Sequence, residues 1–258
     1  MNFLVKQLEK KLDPNKFPNH IAFIIDGNGR WAKRRDKIRS YGHRFGVQAC
    51  KTTIDDCLRL GIKYVSMYGF STENWNRPKE ELDTLFKLFT KFIETELEPM
   101  LKKEIKFIVS GDYTKFPENL VKAIEYAVDK SKNNTKMVLN LCINYGGRPE
   151  IVRAVNNIIS DGVKEVDENI ISSYLYTSEI PDPDFIVRTS GEQRLSNFML
   201  WQMSYSELYF PKTYWPDFNT KELYKALINY AKRNRRFGAI KENKWKPEYL
   251  QPHILCWH

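Results

Sequence analysis

The stretch from Ile21 to Ala32, IAFIIDGNGRWA, joins an apolar run of strand length to a glycine-rich turn and the beginning of a helical pattern. A strand, a turn and a helix in this order form the basic unit of an α/β fold. The glycines have the G-x-G-x-x-A spacing of a dinucleotide-binding turn, but Asp26 stands directly before them. Three interpretations are open here: a nicotinamide site, another phosphate-binding loop, or only a tight turn.

The same alternation continues along the chain and predicts a single α/β domain with a mostly parallel central sheet flanked by helices. The apolar runs of strand length are 21–26, 64–70, 105–112, 137–145 and 185–190. The segments with helical periodicity are roughly 44–60, 79–101, 118–131, 148–160 and 220–236. No linker-like tract or internal repeat interrupts the 258 residues, so one domain over 1–258 is expected.

Composition narrows the class of protein. With 42% hydrophobic residues, the chain can bury a core, and no apolar run approaches the ~20 residues of a membrane span. The N-terminus meets charge too early for a signal peptide, so a soluble, cytoplasmic protein is expected. A net charge of +9 indicates attraction to anions, which leaves nucleic acid, an acidic membrane surface and phosphorylated small molecules open.

The nicotinamide interpretation fails on spacing and charge. A dinucleotide fold needs an acidic residue ~20 residues beyond its glycines, at the end of the second strand. In this chain the first acidic residue after the second strand is Glu73, which lies much further from the glycines. Asp26 would also repel a phosphate by ~4 kcal/mol at ~4 Å and an effective dielectric near 20. A Mg²⁺ ion bridging Asp26 and phosphate oxygens would turn that repulsion into coordination. Asp26 therefore favours a metal-bound diphosphate.

Arginine recurs after the other predicted strands. The sequences DGNGR, STENWNRP, NYGGRPE and RTSGEQR each follow an apolar run, at the carboxyl ends where α/β sheets bind ligands. Arg77, Arg188 and Arg194 each carry a planar fork that can hold a phosphate with two hydrogen bonds. Several arginine-bearing strand ends indicate more than one diphosphate.

A wide apolar stripe at helical spacing follows the second strand. Its members are Leu82, Leu85, Phe86, Phe89, Phe92, Ile93, Leu97 and Met100. The stripe is typical of a core-facing helix, and it would equally suit the wall of a channel for an apolar ligand. Periodicity alone does not separate the two.

Together these segments resemble the cis-prenyltransferase family, most closely its bacterial undecaprenyl diphosphate synthases. The resemblance rests on HIAFIIDGNGRWAKRRDKIRSYGHRFG, YGFSTENWNRP, NYGGRPEI, RTSGEQRLSNFMLWQMSYSELYF and WPDF, in family order from about residue 20 to residue 238. It implies the cis-prenyltransferase fold, neither Rossmann nor the all-α trans-prenyltransferase fold. The implied reaction is repeated cis condensation of isopentenyl diphosphate onto an allylic diphosphate, usually farnesyl diphosphate, with Mg²⁺. The implied product is a long-chain polyprenyl diphosphate.

The resemblance also implies roles for single residues. Asp26 matches an aspartate that helps the allylic diphosphate leave, and Asn74 matches the candidate for removing the proton of the isopentenyl unit, a role that the substrate diphosphate could also fill. The implied allylic diphosphate site comprises Gly27, Asn28, Gly29, Arg30, Trp31, Arg39, His43, Ser71, Thr72, Glu73, Trp75 and Arg77. The implied isopentenyl diphosphate site comprises Arg188, Arg194, Leu195, Ser196 and Gly238. The implied metal ligands are Asp26 and Glu207. Trp31 and Trp75 have a second interpretation as core aromatics.

The segment RRFG at 235–238 resembles a signature that reaches across a family dimer, so a homodimer is expected. Peripheral membrane contact for product release is also expected, and a nucleic-acid partner is not. The tail 239–258 carries no prediction, and the small Gly69 favours a longer product without fixing its length. The alternative function, a non-catalytic basic scaffold of the same fold, would require damaged catalytic positions, which this sequence does not show.

Overall fold

The computed structural model describes residues 3–233, which form one α/β unit around a six-stranded sheet. The strands are β1 (His20–Ile24), β2 (Tyr64–Ser71), β3 (Ile105–Ser110), β4 (Met137–Tyr145), β5 (Phe185–Arg188) and β6 (Glu207–Tyr209). All five strand pairings are parallel, which confirms the predicted architecture. The sequence did not predict β6, because three residues are too few to show alternation. The predictions for Gly238, for 235–238 and for the tail lie outside the described residues.

Helices cover both faces of the sheet. They are α1 (Phe3–Glu9), α2 (Asn28–Lys33), α3 (Arg39–Arg59), α4 (Lys79–Lys102), α5 (Glu118–Ser131), α6 (Gly147–Ser160), α7 (Glu168–Tyr174) and α8 (Thr220–Tyr230). The five predicted helices are α3, α4, α5, α6 and α8. Helix α3 begins earlier than predicted because its first turn is polar, and α8 ends at Tyr230 rather than at 236. The short α1, α2 and α7 were missed.

The core is divided into two apolar layers by the sheet. In β1 every residue is buried, as expected of a central strand of a parallel sheet. Ile21 and Phe23 point into the larger layer, whereas Ala22 and Ile24 point into the smaller one. This alternation follows from the two-residue repeat of a strand.

The order of the strands is β3-β4-β2-β1-β5-β6. The chain builds the sheet outward from β1 on one side with β2, β3 and β4, and on the other side with β5 and β6. The direction in which successive strands are added to the sheet therefore reverses at β1. In parallel α/β sheets the crevice at such a reversal, beside the carboxyl ends of the strands, is where ligands bind. The ends of β1, β2 and β5 are therefore the expected position of the site.

Candidate active site

The turn after β1 is shaped by its glycines. Gly27 has a φ of +106°, which is strained for other residues, and a Cβ at this position would come within 2.6 Å of Tyr214. Gly29 leaves room for the guanidinium of Arg39, because a Cβ on Gly29 would lie 2.8 Å from the Arg39 Cζ atom. The predicted cradle residues Gly27, Asn28, Gly29 and Arg30 thus form one compact turn, with Arg39 of α3 lying against it.

Asp26 lies between two arginines. Its Oδ1 atom is 3.0 Å from Nη2 of Arg30, and its Oδ2 atom accepts a hydrogen bond of 2.9 Å from Nη2 of Arg188. Burial alone would raise the pKa of Asp26, but the hydrogen bond from Arg188 and the two positive charges outweigh burial and hold that pKa below its ordinary value. Asp26 is therefore an ionised carboxylate at neutral pH. Its side chain stays 27% exposed and lines the cavity described below.

Arg188, the last residue of β5, links Asp26 to the predicted isopentenyl diphosphate residues. Its Nη1 atom donates to the Arg194 carbonyl (2.5 Å) and to the Ser196 hydroxyl (2.8 Å). The Arg188 side chain is only 5% exposed, so Asp26 is an important counter-charge for a buried cation. Leu195 packs against the smaller apolar layer and does not line the cavity.

Glu192 joins the two predicted diphosphate sites. It forms ion pairs with Arg30 and with Arg194, and Arg30 also donates to the Ser190 hydroxyl at 2.7 Å. One arginine of each predicted substrate site therefore shares the same carboxylate. The sequence analysis did not single out Glu192, although its place between Arg188 and Arg194 in RTSGEQR is a signal that could have found it.

Glu81, in the first turn of α4, pairs with a second group of basic side chains. It accepts hydrogen bonds from Arg39 Nε (3.1 Å), His43 Nε2 (3.2 Å) and Arg77 Nη1 (3.2 Å). The hydrogen bond from His43, followed by those with the arginines, overcomes the opposing effect of burial and lowers the pKa of Glu81 to about 2. Sequence reasoning missed this residue, whose only local signal was its i+4 spacing from Arg77.

The loop after β2 folds into a short 3₁₀ turn over Thr72–Asn76. The Asn74 side chain accepts a hydrogen bond from the Ser71 amide at 3.1 Å, and both residues line the cavity. Glu73 instead turns towards the segment after β5, where it accepts a hydrogen bond of 3.1 Å from Asn197. Of this loop, Ser71, Asn74 and Arg77 reach the cavity, whereas Thr72 and Glu73 do not line it.

The two predicted tryptophans lie in packed aromatic groups and do not line the cavity. Trp31 donates to Asp217 (2.8 Å) and stacks with neighbouring rings, and Trp75 donates to Asn144 (2.8 Å) among phenylalanines. This arrangement favours the second interpretation of both residues as core aromatics. Their bulk supports the turns on which Arg30 and Arg77 are mounted.

The cavity has a volume of about 330 Å³ and two chemically distinct parts. Its polar part, at the carboxyl ends of β1, β2 and β5, includes Asp26, Asn28, His43, Asn74, Arg77, Arg188, Arg194 and Ser196. Its apolar part, between α3, α4 and the sheet, includes Val47, Cys50, Leu85, Leu88, Phe89, Phe92, Leu139 and Leu141. Such a cavity suits a ligand with an anionic head and an apolar tail.

The apolar stripe of α4 contacts both the cavity and the core. Leu85, Phe89 and Phe92 line the cavity, whereas Leu97 and Met100 serve the core alone. One part of the helix therefore faces the cavity and another faces only the core, and the role of the first part as a wall for an apolar ligand stays a prediction.

Glu207 is not brought to Asp26 in this chain. It begins β6 level with Phe185, three residues before Arg188, which corresponds to roughly 10 Å along the sheet. Its Oε2 atom is paired with Nη1 of Arg233 at 2.7 Å. Glu207 therefore lies apart from Asp26 within this chain, and its role as a metal ligand stays a prediction. Residues 3–233 contain no cluster of three or more His, Cys, Asp or Glu side chains arranged for a metal ion.

Comparison with known proteins places this site in a family. Residues 24–238 match the model of the Prenyltransf family, described as undecaprenyl diphosphate synthase. The chain belongs to the cis-prenyltransferase family. An isoprenyl transferase of Fusobacterium nucleatum is 51% identical over 224 residues, which cover 87% of this chain and 97% of the relative. A farnesyl-diphosphate-specific ditrans,polycis-undecaprenyl-diphosphate synthase of Pasteurella multocida is 44% identical over 238 residues, 90% of this chain and 99% of the relative.

A solved structure supports the same placement of this cis-prenyltransferase. Lavandulyl diphosphate synthase from Lavandula x intermedia, in complex with dimethylallyl diphosphate, has a TM-score of 0.84 and 36% sequence identity, covering 87% of this chain and 100% of that one. The predicted activity, chain elongation by a cis-prenyltransferase, is confirmed at the level of the family, and the scaffold alternative is not favoured. Within residues 3–233, no helix is long and apolar enough to cross a membrane.

Proposed function

We propose that this cis-prenyltransferase condenses isopentenyl diphosphate repeatedly onto farnesyl diphosphate and makes a long-chain polyprenyl diphosphate. The observation that carries the proposal is the two-part cavity, in which Asp26 stands between Arg30 and Arg188 at the polar end and apolar side chains line the other part. An allylic diphosphate would place its head at the arginines and its hydrocarbon chain between α3 and α4. The name of the Pasteurella multocida relative supports farnesyl diphosphate as the primer.

The first chemical task is departure of the allylic diphosphate. The C–O bond of an allylic diphosphate breaks readily when the charge on the leaving group is neutralised, so preorganised cations supply most of the catalysis. Arg30, Arg39 and Arg77 approach the cradle from three different elements. Their guanidinium groups form ion pairs with Asp26, Glu192 and Glu81. A bound diphosphate would take over hydrogen bonds that these carboxylates now accept.

Asp26 has the chemistry expected of a Mg²⁺ ligand. It is an ionised carboxylate facing the cavity, and Mg²⁺ in such sites commonly uses one or two carboxylates together with substrate phosphates. When bound, the ion would neutralise charge on the leaving diphosphate. Asp26 and the diphosphate oxygens are the proposed ligands, and Glu207 is too remote to join them in the same chain.

The second substrate is assigned to the loop after β5. Arg194 and Ser196 line the cavity beside Arg188, and the three are joined by hydrogen bonds. Isopentenyl diphosphate held there would present its double bond to the allylic carbon released near Asp26. Asn74, which also lines the cavity, is the proposed group that helps to remove the proton that the isopentenyl unit loses as its new double bond forms. The homodimer and contact with a membrane surface also belong to this proposal.

The test is incorporation of radiolabelled isopentenyl diphosphate into butanol-extractable product by the purified protein with farnesyl diphosphate and Mg²⁺. Chain-length analysis by mass spectrometry then gives the number of units added. The proposal of the primer is wrong if geranyl or geranylgeranyl diphosphate supports turnover while farnesyl diphosphate does not.

A further inference from the structure

A basic surface with an exposed isoleucine at its centre adjoins the cavity. It comprises the connector between α2 and α3 and the first turns of α3, residues 33–45, and is called here the 33–45 surface. Its exposed cations are Lys33, Arg34, Arg35, Lys37, Arg39 and Arg44. The segment contains one acid, Asp36. Ile38 is 76% exposed among them, and Phe45 is 41% exposed.

This surface is held in place by packing. The Arg35 guanidinium lies 3.9 Å from the centre of the Trp31 ring, and the Arg34 guanidinium lies 4.7 Å from that of Tyr214. Phe45 packs against Trp31 in a tilted arrangement with 4.9 Å between ring centres. The aromatic group therefore fixes the position of two cations and one apolar side chain.

The 33–45 surface lies on the other side of the same helix that lines the cavity. His43, Gly46 and Val47 of α3 face the cavity, while Arg44 and Phe45 between them face outward. Whatever docks on this surface is thus within a helix width of the diphosphate-binding end.

We propose that the 33–45 surface docks this protein on an anionic lipid bilayer, with Ile38 entering the interface and the surrounding cations contacting the headgroups. Lys33, Arg34, Lys37 and Arg44 form no ion pair with any residue in 3–233, so their charge is free for an external partner. Basic residues around an exposed apolar side chain match the two attractions of a peripheral membrane protein, charge and apolar insertion. The inference rests on the proposed function, because a long polyprenyl product must pass into a lipid phase.

A nucleic acid would use the charge of this surface but not its isoleucine. Binding to a duplex depends mainly on phosphate contacts and would be insensitive to a change at Ile38 that leaves the cations in place. Binding to a bilayer, unlike binding to a duplex, is therefore expected to depend on Ile38.

The experiment measures binding of the full-length protein to vesicles by co-flotation. Vesicles of phosphatidylcholine alone are compared with vesicles that also contain phosphatidylglycerol, at low and at high salt. The test variants are Ile38→Gln, which keeps the charge, and Lys33→Glu/Lys37→Glu, which reverses it. Matched controls are Val166→Gln, at a loop residue 50% exposed, and Lys122→Glu/Lys130→Glu on the exposed face of α5.

The parent protein is expected to bind the anionic vesicles and to bind less at high salt, because surface charges are then screened. Charge reversal should weaken binding at least tenfold, because each basic residue near an anionic surface contributes about a fivefold factor. Ile38→Gln should weaken binding several-fold. Both controls should bind like the parent. Turnover of farnesyl and isopentenyl diphosphates in detergent solution should be the same for all variants.

The proposal is overturned if the parent binds neutral and anionic vesicles equally, or if the controls lose as much binding as the test variants. It is also overturned if a nucleic-acid duplex competes the protein off the vesicles and binds Ile38→Gln as tightly as it binds the parent. Turnover in detergent reports on the proposed function independently, so a parent protein that turns over fully but does not bind anionic vesicles refutes only the docking surface.

Discussion

Replacing Asp26 by asparagine should have opposite effects on the binding of farnesyl diphosphate and on turnover. Without metal, the Asp26 carboxylate repels the allylic diphosphate and competes with it for Arg30, to which it is bound at 3.0 Å. At ~4 Å and an effective dielectric near 20, one unit charge opposes another by about 4 kcal/mol. Because the carboxylate is 27% exposed, water reduces this value, and about 1.4 kcal/mol, or tenfold, is the expected gain in metal-free affinity.

In the presence of Mg²⁺ the parent, and not the Asp26→Asn variant, should have the advantage. The parent gains a carboxylate ligand for the ion, whereas the asparagine variant offers only a neutral oxygen, so turnover of Asp26→Asn should fall by about a thousandfold or more. Isothermal titration calorimetry of farnesyl diphosphate, with EDTA and with Mg²⁺, measures the first effect, and a radiolabel assay measures the second. Asp55→Asn is the matched control, since it removes an exposed ion pair with Lys103 away from the cavity.

Thermal denaturation distinguishes these effects from misfolding. Arg188 is buried, and asparagine keeps an acceptor for it, so the expected loss is about 1–3 kcal/mol, or a few degrees in Tm. A folded Asp26→Asn variant whose metal-free affinity is equal to or weaker than that of the parent would refute the account of Asp26 as a competing carboxylate. A turnover within about tenfold of the parent would refute its assignment to catalysis.

Three other changes test separate parts of the site. Glu81 has a pKa lowered from 4.5 to about 2, so its contribution to stability should be complete above pH 4.5 and lost as the pH falls through 2. Calorimetry should therefore show that Glu81→Gln lowers Tm by a few degrees at pH 7, and that the Tm values of variant and parent converge in acid. Arg194→Ala should raise the KM for isopentenyl diphosphate about tenfold, and a selective loss of farnesyl diphosphate affinity would contradict its assignment. Gly69→Leu should shorten the product seen by mass spectrometry, because a Cβ on Gly69 already lies 3.3 Å from Phe89 in the cavity wall; an unchanged product length would show that this wall does not limit the chain.

The sequence was sufficient to predict five of the six strands and the polar end of the cavity. Parallel strands place their carboxyl ends at one edge, so residues that directly follow β1, β2 and β5 had to meet. Asp26 and Arg77 lie in the loops after β1 and β2, Arg188 is the last residue of β5, and all three line the cavity. The prediction that Asp26 favours a metal-bound diphosphate follows from Coulomb repulsion and from the preference of Mg²⁺ for oxygen ligands alone.

The carboxylates that hold the arginines were not predictable in the same way. Glu81 meets Arg39 and His43 only because α4 packs beside α3, and a periodic pattern does not specify which residues of two helices face each other. The position of Glu207 was not predictable for a related reason. Its strand has three residues, and the register that sets it level with Phe185 is not visible in the sequence. Pairwise contacts between distant segments are decided by packing, whereas strand ends follow from topology.

The most direct test of the central claim is product formation by the purified protein. Supplied with farnesyl diphosphate, radiolabelled isopentenyl diphosphate and Mg²⁺, it should give a butanol-extractable polyprenyl diphosphate whose mass increases in isoprene units and whose new double bonds are cis by NMR. EDTA should abolish the incorporation. No incorporation with farnesyl, geranyl or geranylgeranyl diphosphate, or a product with trans double bonds, would contradict the account.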